Sequence, residues 1–125
     1  MNLTFEIDPV PKGRPRLSTR GGFARAYTPL KTRQFETELQ ILARRLWKQP
    51  PLTGALYVGI TFYVPIANKK KWGTPHDKRP DIDNFIKTMD AFNGILWNDD
   101  VQIAELYARK VYTEKGRIDL YVKTL

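Results

Sequence analysis

Apolar and polar residues first alternate over Leu3-Thr4-Phe5-Glu6-Ile7, the period of a half-buried strand. Pro9 and Pro11 stop it. Residues 12–29 show no period and are rich in Gly, Pro, Ser, Thr and Arg, which predicts a long loop; such loops are usually functional or disordered. Phe35, Leu39, Leu42 and Leu46 then recur at helical spacing, so a helix is expected over 30–48. Pro29 suits its start, and Pro50-Pro51 and Gly54 end it. Residues 55–64 are β-branched and aromatic, as a central strand would be. A second polar loop with three prolines follows over 65–80. A second helix is expected over 82–95, and two strands over 102–112 and 117–124, joined as a hairpin through Glu114-Lys115-Gly116. The order β-α-β-α-β-β predicts a single α+β domain over 1–125. Two helices would pack on one face of a four-stranded mixed sheet.

The second helix has two distinct faces. At about 100° per residue, with Asp83 at zero, Ile82, Phe85, Ile86, Met89 and Phe92 fall between roughly 180° and 300°. Asp83, Lys87 and Asp90 lie within about 40° of zero, on the opposite side. Pro80 biases Arg79 away from helix, so Asp81 is a candidate N-cap and Asp83 sits in the first turn.

Charge changes the picture. Of 125 residues, 21 are Lys or Arg and 13 are Asp or Glu, a formal charge of +8. Residues 1–79 hold 15 basic and 5 acidic residues, a balance of +10; residues 80–125 hold 6 and 8, a balance of −2. Lys12, Arg14, Arg16, Arg20, Arg25, Lys31 and Arg33 form a run without one acid. Lys69, Lys70 and Lys71 form a second basic stretch, continued by Lys78 and Arg79. A basic surface of this kind points to a polyanion, nucleic acid first. In the first run, Gly13, Gly21 and Gly22 would let backbone approach phosphate, and Phe23 and Tyr27 could stack on bases. The alternative is that these aromatics pack the loop onto the core and that the lysines are a solvated tip.

Composition removes other chemistries. With no Cys and one His, His76, there is no disulfide scaffold, thiol nucleophile, Cys-ligated metal or multi-His site. No apolar run reaches the ~20 residues of a membrane span. The first residues lack the basic and apolar regions of a signal peptide, so the expectation is a soluble cytoplasmic protein with no membrane partner. His76, in a Pro-rich loop, is expected to be solvated or to face phosphate.

The acids remain. Asp81-x-Asp83 alone is explained by capping, by the helix dipole and by an Asp83–Lys87 pair at i,i+4. Trp97-Asn98-Asp99-Asp100 adds a second acidic pair at the mouth of the next strand, with Trp97 expected to anchor that turn. Were that strand to run back beside the helix, Asp99 or Asp100 could approach Asp81 and Asp83. Three or four carboxylates in one small site repel strongly without a cation. Oxygen-only donors suit Mg²⁺ or Mn²⁺.

Together these motifs resemble the RusA family of Holliday-junction resolvases of bacteria and their prophages. The carriers are Arg79-Pro80-Asp81-Ile82-Asp83-Asn84-Phe85-Ile86-Lys87, Asp90-Ala91-Phe92-Asn93-Gly94 and Trp97-Asn98-Asp99-Asp100-Val101-Gln102-Ile103. Pro11-Lys12-Gly13-Arg14-Pro15-Arg16 and Tyr27-Thr28-Pro29-Leu30-Lys31-Thr32-Arg33 resemble phage-type members. The resemblance implies a homodimeric, Mg²⁺-dependent endodeoxyribonuclease, with Mn²⁺ able to substitute, that resolves four-way junctions by paired nicks. It implies catalytic roles for Asp81, Asp83 and Asp100 as metal ligands and for Lys87, with Asp99 a further candidate ligand and Asn84 and Asp90 in support. Two other readings stay open: a related nuclease of branched or flap DNA, and a non-catalytic DNA-binding protein whose acids only cap a helix.

Overall fold

The computed structural model describes residues 1–13, 16–18, 25–27 and 29–125; for 16–18 and 25–27 it describes the backbone. Four strands form one sheet: β1 (Asn2–Phe5), β4 (Leu56–Pro65), β5 (Ile103–Thr113) and β6 (Arg117–Thr124). Two short strands, β2 (Arg16–Ser18) and β3 (Arg25–Tyr27), pair antiparallel inside the segment expected to be loop throughout.

The sheet order is β1-β6-β4-β5. β4 pairs antiparallel with β6 and parallel with β5, so the sheet is mixed. This corrects the expected hairpin. β5 and β6 are consecutive and joined by three residues, yet β4 lies between them. The turn residues Glu114-Lys115-Gly116 lead the chain past the end of β4 rather than folding β6 back onto β5. The long apolar run of β4, paired on both edges, is what makes the central position its own. Parallel pairing of β4 with β5 requires a crossover, and the segment 66–102 supplies it.

One face of the sheet is covered. Leu56, Val58, Ile60 and Phe62 of β4 point to the same side as Ile118, Leu120 and Val122 of β6, and all are buried. Against them packs α1 (Leu30–Leu46), through Phe35, Leu39 and Ala43. The helix stripe ends differently from the expectation: Leu46 is exposed and Trp47, just past the helix, is buried instead. Its Nε1–H donates to the Pro50 carbonyl at 3.3 Å, which turns the chain toward β4.

The second helix is shorter than its periodicity implied. Regular α-helix covers only α2 (Ile82–Ile86), and a 3₁₀ helix continues it over Lys87–Phe92. The tighter coil still buries Phe85, Met89 and Phe92, as the stripe requires, with Ile82 and Ile86 half-buried. Phe85 stacks on Phe62, centroids 5.2 Å apart, and Phe92 lies 5.1 Å from Phe5. Gly94, at φ +81°, then reverses the chain into the Trp97 turn. Trp97 is fully buried, meets Phe92 edge-on at 5.8 Å and donates to Asn93 Oδ1 at 2.8 Å, so it anchors that turn as expected.

Candidate active site

The crossover 66–102 carries all five acids in question. Asp81 occupies the N-cap position of α2 in an extended conformation (φ −63°, ψ 148°), but its side chain makes no capping bond. The carboxylate is therefore not consumed by the helix terminus. Asp83, in the first turn of the helix, pairs with Lys87 at 3.8 Å, both side chains well exposed. This is the geometry of the i,i+4 face read from the sequence. Such an exposed pair contributes only a few tenths of a kcal/mol, so stability alone gives little reason for it.

The second acidic pair sits on a 3₁₀ turn (Asp100–Gln102) that leads into β5. Asp99 caps this turn. Its Oδ1 accepts from Val101 N–H at 3.0 Å, and the Gln102 Oε1 accepts from the Asp99 N–H at 3.0 Å. The Val101 N–H, and after it a hydrogen bond with Asp100, holds the Asp99 carboxyl below its ordinary value. Asp100 is the opposite case. Hydrogen bonding first with Asp90 and then with Asp99, aided by burial and their charges, pushes it up to about 6.

The acids therefore form two groups. Asp81 and Asp83 stand at the start of α2; Asp100 instead pairs with Asp90, on the 3₁₀ continuation, and with its neighbour Asp99. Asp90 lies seven positions after Asp83, about 10–14 Å of helical rise. Among the described residues, no three acidic or imidazole side chains converge as a metal cage would require. The donor chemistry fits a hard divalent cation, since every candidate is a carboxylate and Asp81 is unspent by its helix. The expected approach of Asp100 to Asp81 and Asp83 is not seen within this chain; Asp90 meets it instead.

Of the basic residues, Lys12 does not face solvent as a free cation. Its Nζ lies 3.2 Å from Asp90 and 3.3 Å from Glu36. Lys31 and Arg33 are exposed in the first turn of α1, which holds no acid. Lys69, Lys70, Lys78 and Arg79 are exposed, and Lys71 is half-buried with its ammonium 5.6 Å from the Tyr112 ring. Arg14 and Arg20, with Phe23, lie outside the described residues; of Arg16, Arg25 and Tyr27 only the backbone, in β2 and β3, is described.

His76 corrects another expectation. It is buried, its ring 4.6 Å from that of Tyr112, and its Nδ1 has no hydrogen-bond partner. Burial comes first and the Lys110 ammonium second in lowering its pKa. The loop 73–80 has zipped onto the outer edge of β5. Gly73 N–H donates to the Tyr112 carbonyl at 2.8 Å, Tyr112 N–H to Thr74 at 3.0 Å, and His76 N–H to Lys110 at 3.0 Å. The ring is enclosed as a consequence.

Sequence reasoning missed Asp77, Lys110 and Tyr112. The Tyr112 hydroxyl donates to Asp77 Oδ1 at 2.9 Å, and Lys110 Nζ donates to the carbonyls of Lys78 and Pro80. A signal existed. Strand alternation puts Lys110 on the same face as Leu106, Ala108 and buried Tyr112, where an ammonium needs a partner.

The family model for endodeoxyribonuclease RusA matches residues 6–123. The chain belongs to the RusA family. It is 29% identical to the uncharacterized protein YqaN of Bacillus subtilis (strain 168), over 98% of this chain and 95% of that protein. It is 28% identical to the crossover junction endodeoxyribonuclease rusA of Lactococcus phage r1t, over 94% of this chain and 93% of that protein. The mixed four-stranded sheet with two helices is the RusA-like α+β arrangement. No helix among the described residues is long and apolar enough to cross a membrane.

Proposed function

We propose that this protein is a Mg²⁺-dependent, structure-selective endodeoxyribonuclease that resolves four-way DNA junctions by paired symmetric nicks. The observation that carries the reading is the family motif on α2: Asp81 at an N-cap position without capping, with Asp83 exposed in the first turn and Lys87 exposed one turn beyond it. An acid serving only the helix would spend its oxygens on the free N–H groups. This counts against a binding protein whose acids merely cap.

Asp81, Asp83 and Asp100 are the residues that would hold the cation, and Asp99 is a weaker candidate because it already caps its turn. When bound, Mg²⁺, or Mn²⁺ in its place, supplies a more acidic water and charge stabilisation at the phosphodiester. Lys87, on the Asp83 face, would place its ammonium against charge developing on the phosphate. Arg14, Arg16, Arg20 and Arg25, with exposed Lys31, Arg33, Lys69, Lys70, Lys78 and Arg79 and the half-buried Lys71, would hold flanking phosphates. Lys31 and Arg33 support this in a specific way. Cations in a first turn oppose the helix dipole, and a bound phosphate would offset that cost. A homodimer fits the task, because two symmetric incisions in a near-two-fold junction call for two symmetric sites.

The test is cleavage of four-way, three-way and linear DNA with and without Mg²⁺, by wild type and Asp83→Asn. Paired nicks confined to the four-way junction, requiring Mg²⁺ and lost in Asp83→Asn while junction binding persists, are expected. Equal nicking by Asp83→Asn overturns the site assignment. Preference for three-way or flap DNA moves the substrate to other branched DNA.

A further inference from the structure

We propose that Lys110, on β5, is a positioning residue for Asp81: its ammonium clamps the backbone from which that carboxylate projects. The inference rests on the nuclease reading above and adds a residue that motif and composition did not single out.

Lys110 Nζ donates to the carbonyl of Lys78 at 2.6 Å and to that of Pro80 at 2.7 Å. Its own carbonyl accepts from His76 N–H at 3.0 Å. One residue of a sheet strand thus grips the loop at three points, the last of them the peptide group joining Pro80 to Asp81. The next strut on the same strand, Tyr112, holds Asp77 through its hydroxyl. The Asp81 carbonyl in turn accepts from Asn84 N–H at 3.1 Å, so the clamped backbone is continuous with the first turn of α2.

The chemistry distinguishes this from a surface accident. Lys110 forms no ion pair among the described residues, and 14–28, the segment with undescribed side chains, contains no Asp or Glu. Its half-buried charge is spent on two backbone carbonyls. Hydrogen bonds to a charged donor are worth roughly twice neutral ones. Backbone pairing with β5 and the Tyr112 hydroxyl hold the loop as far as Asp77; at Lys78 and Pro80, next to the non-capping Asp81, the bonds come from Lys110. The sheet, through β4 and β5, is the rigid element, and Lys110 transmits that rigidity to the acid. Supports of this kind around carboxylate sites typically affect metal affinity or activity ~10- to 100-fold.

The test compares wild type, Lys110→Met and Lys110→Arg. Methionine keeps the stem and removes the donors; arginine restores donors to the carbonyls. Lys110→Met is expected to raise amide exchange at His76 and Asn84 at least ~10-fold, with Val58 and Ile60 of β4 unchanged. Its nicking kcat should fall ~10- to 100-fold and its Mg²⁺ midpoint rise, with junction Kd within about 3-fold of wild type. Lys110→Arg should recover most of both. Unchanged exchange in Lys110→Met overturns the clamp. Loss of junction Kd with kcat and Mg²⁺ midpoint intact also overturns it, and makes Lys110 a phosphate contact. A wild type that does not nick overturns the nuclease reading instead, and the exchange data then decide the clamp alone.

Discussion

The Lys12 ammonium lies 3.2 Å from a carboxylate oxygen of Asp90, and so joins the basic N-terminal run to the acidic group that includes Asp100. Glu36 of α1 completes the contact at 3.3 Å, and Lys12 N–H donates to the Asn84 carbonyl at 2.8 Å. Burial works against this charge, but the hydrogen bond to Asp90 and the charge of Glu36 outweigh it, and the pKa is raised above the ordinary lysine value. On this geometry Lys12 is expected to serve as an internal counter-ion rather than a phosphate contact. Lys12→Met should cost about 1 kcal/mol, a few degrees of Tm. It should leave the slope of log junction affinity against log salt unchanged, whereas Lys70→Ala should reduce that slope by about 1. Anisotropy titrations over a range of salt concentrations check this. An equal reduction by both variants would place Lys12 on the DNA.

Phe85 ties the acids to the sheet. It is 1% exposed and stacks on Phe62 from the first turn after Asp81. Phe85→Ala removes that anchor and leaves a cavity, at a cost of about 3–5 kcal/mol. Phe85→Leu should cost less, because it refills part of the volume. Urea unfolding measures both. The same substitutions should reduce nicking in proportion to the loosening of α2, with the leucine variant the more active. A stability loss under 1 kcal/mol for Phe85→Ala would show that the stack does not hold the segment.

Much of this was legible from periodicity. The four strands of the main sheet, the first helix and the apolar face of the second follow from residue spacing, because each buries one face against one core; β2 and β3, inside an expected loop, do not. The β5–β6 arrangement was not legible. Local turn chemistry at Glu114-Lys115-Gly116 reads as a hairpin, and only competition for the edges of β4 decides that β6 lies on its other side. Gly116 carries a trace of that route, since a Cβ there would meet the Asp8 Cα at 2.9 Å. At the site, Asp83–Lys87 was legible because both lie on one helix. The Asp90–Asp100 contact and the grip of Lys110 on Pro80 were not, because they join segments whose separation depends on tertiary packing. His76 was misread for the same reason: a Pro-rich polar loop is expected to be wet, yet this one is paired to a strand edge.

That enclosure makes His76 a sensor of pH. Lys110, Asp77 and Tyr112 surround it, and Lys71 reaches the far ring. Burial and the Lys110 charge lower its pKa against the smaller opposing effects of its backbone hydrogen bond and Asp77. The folded state therefore resists a proton that the unfolded chain accepts near its ordinary value of about 6.5. Stability is unaffected above that pH. It falls as pH drops through it toward the lowered folded value, because the unfolded state binds more protons there. Asp100 titrates in the same region with the opposite sign, its folded pKa being raised to about 6. A difference measurement cancels it. His76→Phe keeps an aromatic ring on Tyr112 and loses the titration; the unpartnered Nδ1 sacrifices no hydrogen bond. At pH 8 the variant should match wild type within about 1.5 kcal/mol. Between pH 7 and 5 its stability relative to wild type should climb steadily in urea unfolding. Parallel pH profiles for the two proteins would mean that His76 is solvated when folded, and that the loop 73–80 is not closed over it.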